Sequence, residues 1–128
     1  MKVFLTIILC LTLFSCYDHL NEKVYKGKDF TVKWYSISTI TTLDEYIDLE
    51  KYGNTENIMQ CSNLPSIYDI VITGDTITIK TTTRVSISDL VAKKNGCVIK
   101  LDSTITMYQY MKKYHPEVAA EYIGDTIN

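Results

Sequence analysis

The sequence predicts an α+β, mainly-β domain: an antiparallel sheet or small sandwich with a C-terminal helix packed on it. Three observations carry that. Runs dense in β-branched and aromatic residues fill the middle of the chain. Glycine-bearing turn dipeptides separate those runs. The clearest apolar stripe at helical spacing comes late, after residue 106. The chain has 128 residues, 46% hydrophobic and 22% charged, which is one domain's worth and too apolar for a disordered chain.

In chain order, the first β segment is Phe30-Thr31-Val32-Lys33-Trp34-Tyr35-Ser36-Ile37. Alternation puts Phe30, Val32, Trp34 and Ser36 on one face, with Tyr35 and Ile37 on the other. Residues 43–61 admit two readings. Leu43, Tyr46, Ile47 and Glu50 fit a helical period over 43–52. Tyr46, Asp48 and Glu50 also alternate with Ile47 and Leu49 around the turn residues Gly53-Asn54, which describes a hairpin. The hairpin is preferred. The firmest local expectation is a hairpin over Ser66–Thr83, turning at Thr73-Gly74-Asp75-Thr76, with Ile77 and Ile79 inward. Residues 84–95 read as loop. Asn95-Gly96 turns the chain into a strand at Cys97–Leu101.

The helix follows. Asp102 or Ser103 is placed to cap it, Met107, Tyr110, Met111 and Tyr114 form its apolar stripe, and Lys112 and Lys113 suit its C-terminal dipole. Pro116 ends it and can open a second helix as its first residue, running to Ile123 before Gly124. Gly-Asp-Thr-Ile occurs at both 74–77 and 124–127, too short a match to be a repeat.

The N-terminus reads as an address. Met1-Lys2 precedes an apolar run from Val3 to Phe14. That run is too short for a bilayer-spanning helix, which needs about 20 residues, and fits the core of a secretory signal. Leu13-Phe14-Ser15-Cys16 resembles the lipobox of bacterial lipoproteins, with Phe14 bulkier than the usual residue at its position. The resemblance implies cleavage before Cys16 and acylation of that cysteine, so that the protein meets a membrane through its acyl chains. Tyr17 stands where an Asp would imply inner-membrane retention, so the resemblance favours the outer membrane. The expected organisation is therefore a signal peptide at 1–15, a lipidated tether at 16–28 and one globular domain at 29–128. That domain is similar to the many short envelope lipoproteins of unknown function, through no specific motif.

With Cys10 lost in the signal and Cys16 lipidated, Cys61 and Cys97 remain as an even pair in an exported chain. A disulfide between them is expected; two separately buried thiols are the alternative.

The formal charge of −2 argues against a nucleic-acid partner. The two histidines, His19 and His115, stand in no metal-binding spacing, and no C-x-x-C, P-loop, dinucleotide or nucleophile-elbow motif occurs. The reading is therefore no metal, no cofactor and no catalytic residue. Asp44, Glu45, Asp48 and Glu50 crowd together, but a solvated acidic face is favoured over a glycosidase-like pair. Asp48 and Glu50, on one strand face, are candidates for meeting a basic partner. Tyrosine is abundant, at ten residues beside one tryptophan. Tyr108 and Tyr110 lie about 200° apart on a helix, so Tyr108 is a candidate exposed contact.

These observations favour a non-catalytic protein-binding module of the cell envelope. Its specific versions are an immunity or inhibitor protein and an accessory subunit of an envelope assembly. The competing reading is a small hydrolase or small-ligand binder, which would need a pocket lined by carboxylates from 44–50.

Overall fold

Residues 19–62, 67–82 and 87–125 are described by the computed structural model. They form an α+β, mainly-β domain. The first sheet comprises β1 (Leu20–Lys26), β2 (Thr31–Ser38), β3 (Leu43–Lys51), β4 (Asn54–Cys61) and β7 (Ile87–Leu90), in the order β1-β2-β3-β4-β7. Its neighbours all pair antiparallel. The second comprises β5 (Ile67–Thr73), β6 (Thr76–Thr82), β8 (Lys93–Lys94) and β9 (Cys97–Ile105), in the order β5-β6-β9-β8. Here β6 and β9 are parallel. Parallel neighbours need a crossover. This chain makes it by leaving to add β7 to the first sheet and returning through β8.

The core lies between the sheets. Val32, Trp34, Ile47, Leu49 and Met59 from the first sheet meet Ile67, Ile70, Ile77, Ile79 and Ile99 from the second in one buried cluster. Strict alternation on β3 turns Glu45, Ile47, Leu49 and Lys51 inward and Tyr46, Asp48 and Glu50 outward. At β4 the register slips by one residue between Ile47/Met59 and Asp48/Asn57. This bulge lets the consecutive residues Ile58 and Met59 both be buried. The Asn57 amide braces it, donating towards the carbonyls of Ile47 and Met59, each at 3.2 Å.

Residues 43–61 are the hairpin, not the helix. Its central residues are Tyr52 and Gly53, one step earlier than the Gly-Asn dipeptide suggests, with Asn54 already paired to Lys51. Both central residues take positive φ, 53° and 76°, the pattern of a type I′ turn whose twist suits flanking strands. The hairpin over Ile67–Thr82 turns at Gly74-Asp75 with Ile77 and Ile79 inward, as its alternation predicts.

Five expectations are corrected. Within the segment read as a tether, Leu20–Lys26 is strand β1, paired along β2. As an edge strand it buries little, so the apolar alternation that marks a strand is absent. Within the segment read as loop, residues 87–90 and 93–94 are short strands.

Asp102 and Ser103 lie inside β9 and do not cap the helix. Asp102 accepts bonds from Thr104 instead, from the backbone N–H at 3.1 Å and the hydroxyl at 2.6 Å. Thr106 caps α1 (Met107–Tyr114) through a reciprocal box with Gln109. Pro116 opens α2 (Pro116–Asp125), which runs past Gly124.

Finally, Cys61 and Cys97 are both free and buried. Cys61 pairs with Glu45, while Cys97 lies near Lys51. Glu45 and Lys51 are six residues apart on β3, about 20 Å at strand rise. A disulfide needs Cα atoms within about 7 Å, so the two thiols belong to opposite ends of the sandwich. Burial, then the Glu45 charge, pushes the Cys61 thiol up to about 12. Both thiols are therefore expected to resist alkylation in the native protein at pH 8 and to react fully in denaturant. Reductant is expected to leave the unfolding midpoint unchanged. A reductant-dependent midpoint would show that a bridge forms after all.

Candidate functional site

One end of the sandwich holds a cavity of about 350 Å³. It is the end where β1 begins, since Leu20 pairs with Ser36 near the close of β2. Trp34 and Glu45 reach it from the inner face of the first sheet. Trp34 stands opposite Ile47, so Glu45, two residues before Ile47, is its diagonal neighbour on the same face. The indole Nε1–H donates to Glu45 Oε2 at 2.8 Å. Glu45 is only 3% exposed, so its carboxylate is a buried group with a defined donor.

Lys23 is opposite Trp34 on β1. Its ammonium lies 4.3 Å from the Trp34 ring centroid and 5.0 Å from that of Tyr114. Tyr114 and Tyr110 come from α1, with ring centroids 5.0 Å apart. The helix is fixed at this end by Tyr114, whose hydroxyl donates to the Tyr68 carbonyl, and by Lys113, whose ammonium reaches the same oxygen at 3.1 Å. Burial, and then the charge of Glu45, raises the Tyr110 phenol above its ordinary value, so it stays protonated at physiological pH.

The arrangement suits binding. Aromatic walls, a buried carboxylate and an exposed lysine's ammonium converge on a space of small-molecule or side-chain size. The nearby Cys61 thiol is held protonated and is a packing group. Among the described residues, no group of three or more His, Cys, Asp or Glu could hold a metal ion. Among them too, no helix is long and apolar enough to cross a membrane.

The residues singled out from sequence lie elsewhere. Asp48 and Glu50 do share the outer face of β3. Asp48 accepts from the Tyr35 hydroxyl at 2.8 Å and from Asn57 at 3.0 Å. Glu50 pairs with Lys33 at 3.2 Å. Both carboxylates are thus engaged within their own sheet, and Asp48 holds Tyr35, whose ring stacks on those of His19 and Tyr46. Tyr108 is 37% exposed on α1. Cys16 lies outside the described residues.

Of the four crowded carboxylates, sequence reading did not separate Glu45 from the rest. The signal was present: Glu45-x-Ile47-x-Leu49 places it on the apolar face of a strand. Lys23 carried no such signal, because its importance comes from pairing with Trp34 across the sheet. Comparison with protein-family models, with curated proteins and with solved structures finds no match for this chain.

Proposed function

We propose that the protein is a non-catalytic binding module of the cell envelope, held on a membrane by acyl chains on Cys16, whose partner is another protein. The outer membrane is the favoured location, and an immunity or inhibitor role is the most specific version. The observation that carries the binding reading is the cavity that Tyr110 also lines, where the rings of Trp34 and Tyr114 flank the Lys23 ammonium and Glu45 is buried. The anchor rests on the lipobox resemblance. Two or three acyl chains exceed the reversible binding of one. The four-residue step from Cys16 to Leu20 spans at most about 14 Å, so an anchored domain stands close to its membrane.

A small-ligand binder is the second reading, favoured by the cavity's volume, which falls within the usual range for ligand sites.

The test is envelope capture with the full-length protein and its Glu45→Gln variant in parallel. One stoichiometric partner retained by the native chain and lost from the variant supports the reading. Equal retention by both, or none by either, removes the cavity from it. In the same strains the native chain is expected to incorporate radiolabelled palmitate and Cys16→Ala is expected not to. Labelling of the variant, or none of the native chain, would refute the anchor.

A further inference from the structure

We propose that the cavity recognises a lysine side chain of the partner, and that Lys23 is a tethered occupant which that side chain displaces. The inference rests on the binding reading above and adds the chemistry of what is bound.

An ammonium group is already seated. Lys23 Nζ lies 4.3 Å and 5.0 Å from two ring centroids, Trp34 on β2 and Tyr114 on α1, both within cation–π range. The rings come from separate elements and form a clamp that neither makes alone. Glu45 lines the same cavity, only 3% exposed. An anionic ligand drawn to Lys23 would be brought against that buried carboxylate, and like charges repel. A cation gains from Glu45 and from the ring faces together.

Lys23 is also the member able to leave. It is exposed, sits on the edge strand β1, and follows a register shift between Leu20 and Lys23. Swinging its flexible stem into solvent breaks no backbone pairing. With Lys23 in place the cavity still measures about 350 Å³, room for an incoming stem.

The chain has one tryptophan, so Trp34 emission reports on this cavity without labelling. The experiment titrates full-length protein, in an uncharged detergent, with three capped amino acids. These are Nα-acetyl methylamides of lysine, norleucine and glutamate. The lysine probe is expected to change Trp34 emission saturably, the other two not. Lys23→Ala is expected to tighten the lysine probe by roughly threefold to tenfold, because an internal competitor lowers apparent affinity by the fraction of time it occupies the site. Glu45→Gln is expected to weaken it at least tenfold.

Weaker lysine binding in Lys23→Ala, equal binding of norleucine, or preference for glutamate each overturns the inference. So does silence from all three probes. The parallel capture with Glu45→Gln judges the binding reading separately, so the two failures are distinguishable. Lys23 is a surface residue, so its variant keeps the test decisive even where Glu45→Gln folds poorly.

Discussion

Replacing Trp34 by alanine is expected to lower stability by about 3–5 kcal/mol, the cost of deleting a large buried aromatic side chain. Trp34 is 7% exposed and belongs to the central cluster. Its loss removes more than volume. The indole Nε1–H is a donor to the buried Glu45 carboxylate, and a buried acceptor that loses a donor costs about 1–3 kcal/mol. The same substitution removes one of the two rings beneath the Lys23 ammonium. Trp34→Phe separates these effects. It keeps an aromatic ring and deletes the donor, so its loss is expected to fall between those of wild type and alanine. Chemical denaturation followed by far-UV circular dichroism measures both variants without relying on tryptophan emission. An alanine variant within about 1 kcal/mol of wild type would show that the cavity end of the sandwich collapses around the gap, and that Trp34 does not organise it.

How much of this was legible in the sequence depends on where the determining contacts lie. The hairpin over Ile67–Thr82 follows from local information: β-branched alternation and a glycine turn agree with each other. The α1 stripe is equally local, and Tyr110, its most buried member, is where the 3–4 spacing puts it. The helix start was legible too, in the Thr106-x-x-Gln109 capping box, but Asp102 and Ser103 are equally good caps in isolation. Only the continuation of β9 alongside β6 decides against them. β1 shows the opposite case. Its strand character comes from backbone pairing with β2, which leaves no apolar pattern behind.

The cysteines are a third case. Parity suggested a bridge, whereas register sets Cys61 beside Glu45 at one end of β3 and the packing of the second sheet sets Cys97 near Lys51 at the other. The candidate site belongs with β1. Glu45 could be assigned to the inner face from its neighbours. Its meeting with Trp34, Lys23 and Tyr110 needed three strands in register and a helix docked across their end.

Two isoleucines seven positions apart make the second large prediction, because hydropathy treats them alike and the fold does not. Ile47→Ala is expected to cost about 2–5 kcal/mol, and Ile40→Ala no more than about 0.5 kcal/mol. Ile47 is fully buried at the middle of β3, facing Trp34 across to β2 and Met59 across to β4. Truncation there opens a cavity where three strands and the opposing sheet converge. Interiors packed at crystal-like density relax only partly into such gaps.

Ile40 stands fully exposed in the connection between β2 and β3. That connection is closed without it, by the Thr39 N–H donating to the Thr42 carbonyl at 2.8 Å and by the two threonine hydroxyls 2.7 Å apart. Its side chain therefore contributes almost nothing to the folded state. For a domain near 100 residues each kcal/mol moves the melting midpoint by roughly 4–8 °C, so a thermal melt of the pair resolves the contrast in one experiment. Comparable losses from both would contradict the register of β2 on β3, since an Ile40 that matters for stability must be packed. That register also brings Trp34 beside Glu45, so the same pair of melts tests the frame on which the candidate site depends.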